Sequence, residues 1–160
     1  MDSYRAPALR VDTLSVPAGW DRSEILALSA DGILEISDFD HWSAPLPQIA
    51  MQALSEDLDL RLPPGSVIYP RLPKPNAALG VSVDILEFSI TASQASMQAS
   101  WLIVPTGGSA SAKRSVASFH DAMSSAQPSA VARAWSELIG QLAERIAADA
   151  AAFKLPPSQE

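Results

Sequence analysis

Over residues 8–16, Ala-Leu-Arg-Val-Asp-Thr-Leu-Ser-Val, apolar and polar positions alternate with period two, which predicts a half-buried strand. The phase slips between Val11 and Leu14, the mark of a bulge or a change of face. Pro17-Ala18-Gly19 ends the run. Asp31-Gly32 then divides Glu24-Ile-Leu-Ala-Leu-Ser-Ala30 from Ile33-Leu-Glu-Ile-Ser37. Both residues of that pair tolerate positive φ, so the segment predicts a hairpin. Asp38 to Trp42 reads as a polar connector, and Ser43 as a helix N-cap with Pro45 and Pro47 in the first turn. Leu46, Ile49, Ala50, Ala53, Leu54 and Leu58 recur at helical spacing, and Leu62-Pro63-Pro64-Gly65 stops the helix.

Val67-Ile68-Tyr69 is a short strand candidate, followed by a proline-rich loop from Pro70 to Asn76. Leu79 to Thr91 reads as a long strand, with Val81, Val83 and Ile85 on one phase and Leu86, Phe88 and Ile90 on the next. Met97 to Val104 is its expected antiparallel partner across a short joint at Ser93-Gln94-Ala95, and Lys113 to Phe119 a further strand. In the helix at 129–152, Val131, Trp135, Leu138, Leu142 and Ile146 form one stripe while Arg133, Glu137, Glu144 and Asp149 lie largely off it. The expected fold class is α/β: a single layered domain, with one mixed, mainly antiparallel sheet and two amphipathic helices packed on it. It spans residues 1–160, with an ordered core at about 8–153 and a tail at 154–160.

Length and composition narrow the chemistry. A chain of 160 residues buries about 68–70% of its extended surface and needs no staples. It contains no cysteine, so disulfides, thiolate metal sites and cysteine nucleophiles are excluded for this sequence. The net charge of −7 argues against nucleic acid as a partner. No run approaches the roughly 18 apolar residues of a membrane span. His41 and His120 have no second histidine at ligand spacing, and read as exposed or capping residues. No nucleophile elbow or phosphate loop is present. Glu56-Asp57-Asp59 reads as a solvated helix end; catalysis there, or at His120, needs a buried partner that the pattern does not show. Asp84 and Glu87, if outward, read as edge protection. Catalytic residues, cofactors and metal ligands are therefore all expected to be none.

The aromatics are more informative. Trp101 and Trp135 fall on apolar phases and are expected in the core, and Trp42 is placed for a hydrophobic staple. Trp20, in a loop between strands, and Tyr69 with Pro70, at a proline-punctuated turn, are the candidate partner contacts. Each aromatic offers much apolar area with few rotors to freeze. The alternative for both rings is that they cap the edges of the core.

The order of motifs carries a resemblance. It runs from Leu9-Arg-Val-Asp-Thr-Leu-Ser-Val-Pro17 through Ser23-Glu-Ile25 to Trp42-Ser-Ala-Pro-Leu46 and a helix ending in Leu54-Ser-Glu-Asp-Leu58. Leu79-Gly-Val-Ser-Val-Asp-Ile-Leu-Glu-Phe88, Ala99-Ser-Trp-Leu102 and Leu138-Ile-Gly-Gln-Leu-Ala-Glu-Arg-Ile146 follow. From about Ala8 to Phe153 the chain resembles the auxiliary lipoprotein components of ABC-type transport systems, the PqiC/YmbA-like family. The resemblance implies a signal peptide, a lipidated cysteine and a tyrosine-rich first strand ahead of this region. None is found here, so the sequence is expected to be trimmed after the lipid-attachment site, with Tyr4 a remnant of that strand.

The resemblance further implies a non-enzymatic, periplasm-facing domain, anchored to the outer membrane in the full-length protein. It would serve an envelope lipid-transport system with an MCE-type protein and an ABC permease and ATPase, by docking and with homo-oligomeric, ring-like assembly as a compatible mode. Membrane contact would run only through the lipid anchor absent from this chain. The acidic balance suits a basic partner patch. The alternative is a soluble carrier that holds a lipid or other apolar ligand between helix and sheet.

Overall fold

The computed structural model describes residues 6–28, 34–91, 93–107, 110–125 and 127–154. The strands are β1 (Ala8–Ser15), β2 (Glu24–Leu28), β3 (Leu34–His41), β4 (Ala78–Ile90), β5 (Gln94–Thr106) and β6 (Lys113–Ala122). The helices are α1 (Leu46–Arg61) and α2 (Pro128–Ala150). Four strands form the main sheet in the order β1-β4-β5-β6. β1 pairs with β4 in parallel, as the long helical crossover through α1 permits, and the other two pairings are antiparallel. Both helices pack on this sheet and against each other. This is the expected single mixed α/β layer domain, with one difference. β2 and β3 pair only with each other, as a separate two-stranded sheet that α2 contacts. The Asp31-Gly32 turn lies outside the described residues.

Several local expectations need correction. The polar stretch from Asp38 is the end of β3, whose backbone pairs as far as Glu24 with His41; a shift in register after Glu24 accommodates the longer strand. The N-cap of α1 is Pro45, and no side chain caps it. Pro47 has no N–H, the Leu46 N–H donates to the Arg22 carbonyl at 3.4 Å, and Gln48 and Ile49 donate to the Pro45 carbonyl at 3.0 and 3.2 Å. With the first-turn donors so supplied, Ser43 has nothing to cap. Val67 makes one isolated parallel bridge to Leu9, not a strand.

β1 breaks register against β4 between Val11 and Thr13, where the phase slip is read from the sequence. β4 carries its own bulge between Ile85 and Glu87. The bulge returns Phe88 and Ile90 to the face of Val81, Val83 and Ile85, while Leu86 turns outward and is exposed. Asp84 and Glu87 are exposed too, but β4 is an interior strand, so they stand on the open sheet face and guard no edge.

Helix α2 is fixed at both ends. Its stripe, Val131 to Ile146, is fully buried together with Trp101 and Ile103 of β5. Near its C-terminus Asp149 accepts hydrogen bonds from Trp101 Nε1 at 2.9 Å, Ser115 Oγ at 2.7 Å and Lys113 Nζ at 3.1 Å. Burial works against the Asp149 charge, but these hydrogen bonds together outweigh it and hold the carboxyl below its ordinary range.

Replacing Leu142, which is completely buried, with Ala is expected to cost about 2–5 kcal/mol in a denaturant melt. A second prediction concerns acid. The depressed Asp149 titration adds stability that is fully present above the unfolded value near ~3.9 and lost as pH falls through the lower folded value. Asp149→Asn is therefore expected to cost roughly 1–3 kcal/mol at neutral pH. That difference from the parent should shrink below about pH 4 in urea melts run at stepped pH.

Candidate functional site

The chain leaves α1 through an extended Leu62 and turns at Gly65, whose φ of +83° is a conformation that side chains disfavour. It then crosses the edge of β1, where Leu9 N–H donates to the Ser66 carbonyl and Ile68 N–H to the Leu9 carbonyl, both at 2.8 Å. A turn follows in which Leu72 N–H donates to the Tyr69 carbonyl at 2.9 Å. β1 holds this proline-rich loop down. Arg10 donates from Nη1 to the Leu72 carbonyl at 2.7 Å and from Nε to Asp12 Oδ1 at 2.8 Å. Lys74 Nζ meets Asp12 Oδ2 at 2.9 Å. Gly80 lies opposite Arg10 in the neighbouring strand, and a Cβ there would collide with the Asp12 carboxylate and crowd the Lys74 ammonium.

Between this loop and the outer face of α1 lies a groove of about 510 Å³. Tyr69, Pro70 and Arg71 form one wall; Gln48, Ile49, Gln52, Ala53 and Glu56 form most of the other. The Tyr69 hydroxyl donates to Asp59 Oδ2 at 3.3 Å. Desolvation and the Asp59 carboxylate push the phenol up from its ordinary value, so the hydroxyl stays protonated and available as a donor. Gln52 Nε2 donates to Glu56 Oε1 at 2.8 Å along the rim. The site combines an apolar floor, an aromatic and a proline on a clamped loop, and acidic residues around α1.

Of the three candidate contacts, Tyr69 and Pro70 line this groove and Trp20 does not. Trp20 is only 5% exposed. Its Nε1 donates to the Phe88 carbonyl at 3.1 Å, and its ring meets Phe88 and Trp135 edge-on at 4.7 and 5.7 Å. The indole is a core group, as the alternative for that ring has it. The outer face of α1 was not among the candidates. Ile49 and Ala53 belong to its apolar spacing yet remain half-buried, and that surplus of apolar positions is the signal of a groove.

The acidic helix end is dispersed: Glu56 lines the groove, Asp59 meets Tyr69, and Asp57 packs near Arg61. Desolvation raises the Asp57 titration above its ordinary value against the pull of Arg61, with Glu56 and Glu137 adding to the rise. His120 is exposed, with Nδ1 3.1 Å from Ser96 Oγ on the open sheet face. Among the described residues, no three His, Asp or Glu side chains group closely enough to hold a metal. No helix among those residues is long and apolar enough to cross a membrane. Large side chains fill the layer between α2 and the sheet, where a carried ligand was the alternative: Trp101, Leu138, Leu142 and Ile146 are almost completely buried.

The strand order and the paired helices define a two-layer α/β domain, a class with solved members. One crystal structure of an uncharacterized protein superposes with a TM-score of 0.69 at 17% identity, over 91% of this chain and 95% of that one. Another, a Xanthomonas campestris protein described as a member of the family DUF330, superposes with a TM-score of 0.63 at 14% identity, over 90% and 82% of the two chains. No curated protein matches the sequence. The chain belongs to the family of ABC-type transport auxiliary lipoprotein components, whose model matches residues 2–147. Membership associates it with an ABC-type transport system and with the cell envelope.

The burial of Trp20 predicts that Trp20→Ala destabilises the domain by about 3–5 kcal/mol in a denaturant melt. A loss under about 0.5 kcal/mol would place the ring outside the core.

Proposed function

We propose that this domain is a non-catalytic docking component of an envelope lipid-transport system, facing the periplasm and held at the outer membrane by the family's lipid anchor. In this reading an MCE-type protein is the docking partner, and an ABC permease and ATPase supply the energy. The observation that carries the reading is the groove between α1 and the Tyr69–Arg71 turn, built from an apolar floor, an aromatic and a proline on a loop pinned by Arg10 and Lys74. A pinned loop loses little freedom on binding, so more of its contact energy survives as affinity. The net charge of −7 and the groove's Glu56 favour a partner surface that is basic at its rim. Self-assembly of several copies is compatible with the same role, since one partner could then meet several grooves.

Tyr69→Ala is the informative change, because the ring lies at the groove wall and outside the core. It is expected to weaken binding to the MCE-type partner by more than ~1 kcal/mol, and to leave the thermal midpoint nearly unchanged. Calorimetric titration of the purified pair, with a thermal melt of each variant, checks both. Unchanged affinity would remove the groove as the contact surface.

A further inference from the structure

The open face of the main sheet changes character along its strands. Val81 and Val83 of β4 and Trp101 and Ile103 of β5 are buried on the helix side, so Gly80, Ser82, Leu102 and Val104 turn to the other. Arg10 stands opposite Gly80, between the buried Leu9 and Val11, and Arg114 stands opposite Leu102 on β6. Lys74 reaches over the same surface, with Nζ 3.0 Å from where a Gly80 Cβ would lie. A band of Arg10, Lys74, Val104, Leu102 and Arg114 therefore crosses all four strands. Val104 is 40% exposed, and Val116, two residues beyond Arg114, is 55% exposed.

The other half of the face is acidic and polar: Asp84 and Glu87 are exposed there, with Gln98, Ser118 and His120. Asp12 offsets part of the band, since it pairs with both Arg10 and Lys74, and Asp149 takes the charge of Lys113 from the helix side. Arg114 and, beyond the end of α2, Lys154 are exposed and form no ion pair among the described residues. The band lies at the end where the chain enters the sheet. Ala8 begins β1 beside Ala78, which begins β4 and stands opposite Thr106 at the end of β5. A chain of net charge −7 thus keeps a basic, partly apolar surface next to its entry into the fold.

We infer that this end of the open sheet face lies against an anionic phospholipid surface, with Arg114 as its unpaired cation and Val104 and Val116 as its apolar contacts. Basic side chains draw anionic headgroups, and apolar side chains among them gain from the interface. The inference takes its direction from the proposed lipid anchor, which joins ahead of β1 and brings this end to the bilayer; the contact adds to the anchor. The α1 wall of the groove beside Tyr69 is on the opposite side of the sheet, so a partner can dock there while the band meets lipid.

The test is co-sedimentation of the purified chain with vesicles of phosphatidylglycerol mixed with phosphatidylcholine, against vesicles of phosphatidylcholine alone. It needs neither anchor nor partner, so its failure is separate from a failure of the docking reading. The net charge opposes adsorption to an anionic surface, so binding has to come from a local patch. At roughly 0.02 M salt the chain is expected to partition onto the anionic vesicles at least about fivefold more strongly than onto the neutral ones, and to be released at roughly 0.5 M salt. Arg114→Glu should weaken that partition at least about fivefold, with an unchanged far-ultraviolet circular dichroism spectrum. Lys154→Glu, at the same end, should weaken it too, a second route should Arg114→Glu fail to fold. Arg133→Glu makes the same charge change at the opposite end, where Arg133 lines a hollow with Asp121 and Ala122 at the end of β6, and should leave the partition within about twofold. Equal partition onto the two kinds of vesicle, or none onto either, would overturn the inference. An equal loss in Arg114→Glu and Arg133→Glu would overturn it as well, by reducing the effect to net charge.

Discussion

Phe88 and Trp135 stack face to face, with ring centroids 3.9 Å apart and planes 11° from parallel, and the placement of α2 on the sheet follows from that contact. Phe88 comes from the far end of β4 and Trp135 from the first half of α2, so the stack sets where α2 meets the sheet. Trp20 closes the group edge-on and bonds the Phe88 carbonyl, which brings in the turn after β1. Aromatic pairs contribute roughly 0.5–1.5 kcal/mol beyond the area they bury, and they also fix orientation. The β4 bulge is a precondition. Without the shift between Ile85 and Glu87, strict alternation would turn Phe88 to the open face, and Trp135 would lose its partner.

The other end of α2 is fixed by a different kind of force. Asp149 stands in the last turn of the helix, where a negative charge is disfavoured by the helix dipole. The three donors from β5 and β6 offset that cost and make the carboxylate a tether between layers. With α2 held by an aromatic stack near its start and an ionic tether near its end, its distance from α1 is set by the sheet. Arg61, paired with Asp57 on its own helix at 3.9 Å, spans part of the remainder by reaching Glu144 of α2 at 3.8 Å, past Gly140. The helices therefore need not collapse onto each other where both carry alanine, which explains how a cavity survives beside a dense core.

Much of this was legible in the sequence where one physical rule acted alone. The stripe of α2, the β4–β5 hairpin and the bulge in β1 follow from periodicity, and the structure has each. The failures occur where two rules compete. Leu86 follows Ile85 as another apolar residue, so the pattern hides which of them the bulge turns out. Ser43 matches a capping preference, but the proline at 47 and the carbonyls of Arg22 and Pro45 had already settled the first-turn donors. The hairpin of β2 and β3 was legible, but its standing apart from the main sheet is a long-range outcome that no local pattern encodes. At the candidate site, Tyr69 and Pro70 were visible as an aromatic beside a turn. Trp20 had the same local signature, and only the long-range contact with Phe88 and Trp135 separates the two.

Helix α1 walls both the outer groove and a smaller cavity of about 120 Å³ against α2. Its inward stripe of Leu46, Ala50, Leu54 and Leu58 is buried, Ala53 packs against that core from its edge, and Ile49 stays half-buried. Both line the outer groove on one side and the inter-helix cavity on the other. A substitution at either position therefore alters both hollows at once, so the two cannot be varied independently through these side chains.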